Sequence, residues 1–193
     1  MTRTEFIKAH ALAATIATLG SPIFPETVLT QAIVESANGE STLSKQYNNY
    51  FGIKAGSTWK GKSVNLRTRE VFHGQSTYIR DNFRVYNSFY SSVRDLIKFY
   101  KKYTRYNFVV DSANVEQQLR FVGMSGYATA PNYGSTLISV YNANRDTMRK
   151  AVNKSRVILG AGFLSVSLAA FYVIDPVQFR KRFGAVRNLR PGL

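Results

Sequence analysis

Eleven Asp and Glu residues stand against 26 Lys and Arg in this chain of 193 residues, so any acid chemistry has few candidate donors. They are Glu5, Glu26, Glu35, Glu40, Glu70, Asp81, Asp95, Asp111, Glu116, Asp146 and Asp175. Glu35 follows the apolar run Ala32-Ile33-Val34 and stands just before Asn38-Gly39 in "TQAIVESANGES". On a 3.6-residue repeat Val28, Leu29, Ala32, Ile33 and Ser36 share one helix face, and Glu35 falls at its border. A carboxyl there is partly desolvated yet reachable from outside. Desolvation disfavours the ionised form, which keeps a proton available for general acid work near neutral pH. Glu70 is the second candidate. It alternates with Val64, Leu66, Thr68 and Phe72 against Asn65, Arg67, Arg69 and Val71, which reads as a strand whose inward side carries Glu70.

Other chemistries find no residues. There is no cysteine, and His10 and His73 are the only histidines, so neither a disulfide framework nor a thiolate or histidine-built metal site is expected, and no cofactor is expected. The formal charge of +15 implies an anionic partner: nucleic acid, membrane lipid or cell-wall polymer. The Lys and Arg are scattered rather than grouped into a recognition motif, so no nucleic-acid partner is expected.

The elements that must position these carboxylates follow from periodicity. A helix is expected from Thr4 to about Leu19, with Phe6, Ala9, Leu12, Ala13 and Ile16 on one face, ending at Gly20. It is read as part of the domain rather than as a cleaved signal, because Glu5 occupies the place of a basic leader. Pro25 opens the next helix, which reaches about Ser36. Ser63 to Tyr86 is expected to form a β-hairpin turning at "HGQS". Helices are then expected from Ser88 to about Tyr103, from Asn114 to Val122 with Gly123 closing it, and from about Ser135 to Lys154.

The chain then changes character. "VILGAGFLSVSLAAFYVI", Val157 to Ile174, carries no charge, and as a helix it would span roughly 27 Å, close to a bilayer's hydrocarbon core. Arg180, Lys181, Arg182, Arg187 and Arg190 follow it and suit anionic headgroups. The expectation is two parts: a catalytic domain over 1–154, and over 155–193 a transmembrane helix with a basic tail.

"ESANGES" followed by "LSKQYNNYFGIK" resembles the signature of the endo-β-N-acetylglucosaminidases of glycoside hydrolase family 73, which includes flagellar-rod lysins and autolysins. Glu35, Ser36, Gly39, Ser41, Leu43, Asn48, Asn49, Phe51, Gly52, Ile53 and Lys54 supply the pattern. "TRE" at Thr68, "FRVYNS" from Phe83 and "SGYATAPNYG" from Ser125 continue it in order. The chain departs from the family at Ala37-Asn38, where Gly-Trp is usual, and at Ala130, where Asp is usual. The resemblance implies an α+β, lysozyme-like fold: a mainly helical body, a small β-hairpin lobe and a glycan cleft between them. It implies Glu35 as general acid and Glu70 as the second carboxylate, or as an assistant where the substrate's acetamide is the nucleophile. It implies Tyr127 as the residue orienting that acetamide, with Asn48, Asn49, Phe51 and Tyr133 binding substrate.

The function expected is a membrane-tethered peptidoglycan hydrolase cutting between N-acetylglucosamine and N-acetylmuramic acid, its catalytic domain facing the wall. A phage lysin or virion protein and a small bacterial autolysin both fit, placing it in the host envelope or a virion membrane. The alternatives are a lytic transglycosylase or muramidase on the same fold, and an inactive wall-binding or virion-membrane protein, against which the presence of both Glu35 and Glu70 argues.

Overall fold

The computed structural model describes the backbone of residues 1–72 and 75–173 and, within it, the side chains outside 69–76 and 163–173. Its elements, in order, are α1 (Arg3–Thr18), α2 (Pro25–Ser36), α3 (Thr42–Tyr47), β1 (Ser63–Phe72), β2 (Gln75–Arg84), α4 (Phe89–Lys102), α5 (Asn107–Val110) after a single 3₁₀ turn, α6 (Val115–Met124) and α7 (Tyr133–Val173). The chain divides into two compact units, Met1–Ser155 and Arg156–Leu193. The first is a mainly helical body with one two-stranded antiparallel sheet.

Local chemistry sets the helix ends. Thr2 and Glu5 form a reciprocal capping box at α1, Pro25 takes the first turn of α2, and Ser41, Ser88 and Asn114 each cap the helix that follows. Val28, Leu29, Ala32, Ile33 and Ser36 of α2 are buried together, as their spacing dictates. On α4 the same holds for Val93, Leu96, Ile97 and Tyr100.

The face expected for α1 is wrong. Phe6, Ile7, Ala11, Ala14 and Ala17 are inside, while Leu12 and Ile16 are 38% and 37% exposed. Small side chains let α1 lie close to α2 and α4, and Thr15 and Thr18 can be buried with them because each hydroxyl donates to a carbonyl in the preceding turn. Gly123 does not close α6 either. It lies inside the helix, where a Cβ would stand 2.4 Å from the Cα of Gly134, so it permits the close approach of α7's first turn.

The hairpin register runs from Ser63 opposite Arg84 to Phe72 opposite Gln75. Val64, Leu66 and Thr68 are half-buried and Asn65 and Arg67 exposed, as alternation requires. Residues 73–74 of the expected turn lie outside the described residues. So do the side chain of Glu70 and, in the segment expected to cross a membrane, the side chains of residues 163–173 and the whole of residue 174. Among the described residues no helix is long and apolar enough to cross one.

Candidate active site

Glu35 stands one residue before the end of α2, and the residues after it build the turn that holds it. Ser36 is buried; its hydroxyl donates to the Ala32 carbonyl at 2.5 Å and accepts from the Gly39 amide at 2.7 Å. Ala37 takes the left-handed cap position at φ 51°, and Gly39 follows at φ 79°. A Cβ on Gly39 would lie 3.1 Å from the Phe6 ring. Ser41 closes the turn by donating its amide to the Ser36 carbonyl and capping α3. Serine, glycine and serine in "ESANGES" are thus the mechanical support of the carboxyl.

Glu35 is half-buried and its partner is a phenol. Tyr133, 5% exposed, donates its hydroxyl to Glu35 Oε1 at 2.5 Å. Loss of water pushes the Glu35 carboxyl above its ordinary value, and the Tyr133 hydrogen bond offsets part of that. No cation pairs with it among the described residues. Glu40 shows the contrast: paired with Lys45 and the N-terminal amine, it is held down to about 2. Asp81 is likewise lowered by Lys54. Of these three carboxyls only Glu35 is shifted toward its protonated form.

Behind Tyr133 lie two residues that sequence reasoning missed. Gln31 Nε2 donates to the Tyr133 hydroxyl oxygen at 3.3 Å, and the Tyr100 hydroxyl donates to Gln31 Oε1 at 2.5 Å. Gln31 and Tyr100 are both fully buried. Gln31 sits one helical turn before Glu35, and a glutamine inside an apolar stripe was the available signal.

The structure brings Tyr127 to the same place. Its ring stacks on Tyr133 at 6.2 Å and 10°, and its hydroxyl donates to the Phe51 carbonyl at 2.7 Å. That oxygen keeps an acceptor site but its hydrogen is engaged. Asn49 and Phe51, expected against the glycan, are each 1% exposed and offer it no surface. The Asn49 amide donates to the carbonyls of Ile53 and Arg84, and its oxygen accepts from the Ile53 amide; Phe51 packs in the core near Phe89. Asn48 is the left-handed cap of α3 and donates to the Tyr86 carbonyl. Asn48 and Asn49 fasten the loop to the hairpin base. Glu70 lies on β1 opposite Thr77.

A second missed cluster anchors the hairpin. Arg84 and the Tyr86 hydroxyl both donate to Asp95 Oδ2 at 2.6 Å, and the Arg84 guanidinium covers the Trp59 ring at 4.5 Å. No group of three or more His, Cys, Asp or Glu among the described residues could hold a metal ion.

Comparison with known proteins gives the family and the fold. Residues 12–146 match the Glucosaminidase family, described as mannosyl-glycoprotein endo-beta-N-acetylglucosaminidase. The peptidoglycan hydrolase FlgJ of Salmonella typhimurium is 31% identical over 140 residues, which cover 70% of this chain and 44% of that protein. A probable N-acetylmuramidase of Lactococcus lactis subsp. lactis is 35% identical over 156 residues, covering 72% of this chain and 34% of that one. The crystal structure of a peptidoglycan hydrolase mutant from Sphingomonas sp. A1 superimposes with a TM-score of 0.68 at 30% identity, over 78% of this chain and 99% of that one. The chain spans less than half the length of these two curated relatives.

Proposed function

The chain belongs to the Glucosaminidase family, and we propose that it is a glycoside hydrolase of peptidoglycan with Glu35 as its general acid. The observation that carries this reading is the half-buried carboxyl, raised by desolvation and met by a phenol instead of a cation. Glu35 protonates the glycosidic oxygen as the bond to the anomeric carbon breaks. The positive charge that develops on the sugar is met either by the substrate's own acetamide oxygen, followed by water, or by water activated at Glu70. Tyr127 lies beside Tyr133, where its free lone pair can accept from the acetamide N–H.

The bond we assign is the β-1,4 link on the reducing side of N-acetylglucosamine, which fits the family's description. The muramidase name of one relative favours the other bond, so products decide. Mass spectrometry of digested peptidoglycan is expected to show N-acetylglucosamine at the new reducing ends. N-acetylmuramic acid ends would move the cut to the neighbouring bond, anhydro ends would make the protein a lytic transglycosylase, and an undigested wall would make it a binding protein.

The net charge of +15 supports attraction to an anionic wall. The uncharged run Val157–Ile174 with its basic tail supports a tether that keeps the catalytic domain at the membrane, facing the wall, in a phage lysin or a bacterial autolysin. Carbonate extraction of the full chain tests the tether. Retention with membranes until detergent is added is expected, and release by carbonate alone would remove the tether from this reading.

A further inference from the structure

The chain of hydrogen bonds behind the acid has a direction. The Tyr100 hydroxyl has one hydrogen, and it goes to Gln31 Oε1 at 2.5 Å. The Gln31 amide is therefore turned with Nε2 toward Tyr133, donating to its oxygen at 3.3 Å. With that oxygen receiving, the Tyr133 hydrogen points onward to Glu35 Oε1 at 2.5 Å. Gln31 and Tyr100 are fully buried and Tyr133 is 5% exposed, so water does not compete for these groups. An oxygen that already accepts a short hydrogen bond is the poorer seat for a carboxyl's own proton. Oε2 accepts no hydrogen bond from the described residues.

We propose that Gln31 is a positioning residue for the acid: by fixing the direction Tyr100 to Gln31 to Tyr133 to Glu35, it holds the catalytic proton on Glu35 Oε2. The inference rests on the reading of Glu35 as general acid. Reversing the amide would reverse the chain, since Tyr133 would then donate to Gln31 and Glu35 would have to donate to Tyr133. The proton would sit on Oε1, turned into the protein and away from the glycosidic oxygen. An amide with one donating and one accepting end sets this order, and a side chain with two identical ends does not.

The test uses two variants of the full chain. The double variant Gln31→Met with Tyr100→Phe removes the amide without leaving the Tyr100 hydroxyl orphaned. Gln31→Glu keeps the shape but, when ionised, accepts from both phenols and draws the Tyr133 hydrogen off Glu35. Lysis of purified peptidoglycan is followed against pH and substrate concentration, with circular dichroism and Tm as fold controls. In both variants kcat is expected to fall about tenfold with KM unchanged, because the placement of the proton is lost while general acid catalysis as a whole is worth 10²–10⁴. The alkaline limb of the rate profile is expected to move to higher pH in both: Gln31→Glu draws the donor off the carboxylate, and in the double variant the vacated Tyr133 oxygen can accept from the protonated carboxyl and stabilise it. A parent-like pH profile in a folded variant of either kind overturns the proposal, whether or not kcat has fallen. Glu35→Gln is run beside them. If that variant stays active, the acid assignment itself fails; if it is inactive while the Gln31 variants keep the parent's profile, only the positioning role fails.

Discussion

Gly123→Ala is expected to damage the site from outside it. The added Cβ would stand 2.4 Å from the Cα and 3.0 Å from the nitrogen of Gly134, and neither backbone atom can swing away. Ordinary contact between carbons needs about 3.5–4.0 Å, so α6 and the first turn of α7 must separate by on the order of 1 Å. Two effects of opposite sign set the stability change. Alanine gains about 1 kcal/mol of helix propensity over glycine, while overpacking costs typically 1–3 kcal/mol, and the unyielding backbone places this case at the upper end. The net expectation is a loss of about 1–2 kcal/mol, or roughly 2–8 °C in Tm for a domain of this size. Activity should fall further than that. Tyr133 precedes Gly134 in the same turn, so the displacement is delivered to the hydroxyl that meets Glu35 at 2.5 Å. A misplacement of that size can cost about a hundredfold in rate. Gly134→Ala is the matched control: its Cβ would meet Gly123 no closer than 3.4 Å, so it should fold and lyse nearly as the parent does. Thermal melts and turbidity loss of purified peptidoglycan measure both. Equal behaviour of the two variants would refute the reasoning, since only their clearances differ.

Glu35→Gln should keep the fold and lose at least about a hundredfold of lysis, since an amide cannot supply the proton; a zymogram with parent-like clearing would count against it. The same variant should melt higher at neutral pH. A carboxyl raised by folding adds stability below its unfolded value of 4.5 and loses it as pH rises through the folded value, so its removal relieves a cost at pH 7. Gly39→Ala combines a left-handed backbone with a contact 3.1 Å from Phe6, whose ring is hemmed in by His10, Tyr50 and Phe89, and should lose about 2–4 kcal/mol by denaturant titration. His10 is lowered by desolvation, so the fold should weaken as pH drops below 6.5 toward the folded value; Tm against pH should flatten there in His10→Phe. Asp95→Ala leaves Arg84 without its carboxylate and Tyr86 without its acceptor, and should cost about 3 kcal/mol in chemical unfolding.

How much of this was legible follows from where the information sits. The stripe on α2 could be read because Val28, Leu29, Ala32 and Ile33 contrast with their neighbours, and the same contrast marks α4. On α1 alanine and threonine are distributed around the helix, so periodicity selected the larger Leu12 and Ile16 when the packing needed the smaller side chains. Glu35 was legible because it is a local departure from an apolar run. Gln31 and Tyr100 were not, since Gln31 looks like an interruption of its stripe and Tyr100 like an ordinary member of one until they are seen to satisfy each other across 69 residues. Asn49 and Phe51 were set against the glycan by the family signature alone, yet hydrogen bonding to the Ile53 and Arg84 carbonyls and packing near Phe89 carry both inside.

The strong positive charge and the acid proposed at the site pose one electrostatic problem. With 26 Lys and Arg in the chain, a carboxylate near the surface readily finds a cation, as Glu40, Asp81, Asp95 and Glu116 do. Each such pair favours the ionised form and would disable a proton donor. Around Glu35 the fold sets Tyr133, with Tyr100, Tyr127 and Gln31 close behind. Burial pushes the three phenols above their ordinary range, so they stay neutral and bring neither an attracting nor a repelling charge. They exclude water, and among the described residues Tyr133 supplies the single hydrogen bond that orients the carboxyl. A lysine or arginine placed at Tyr127 would therefore be expected to silence the enzyme by ionising its acid, even where it left the glycan room to bind.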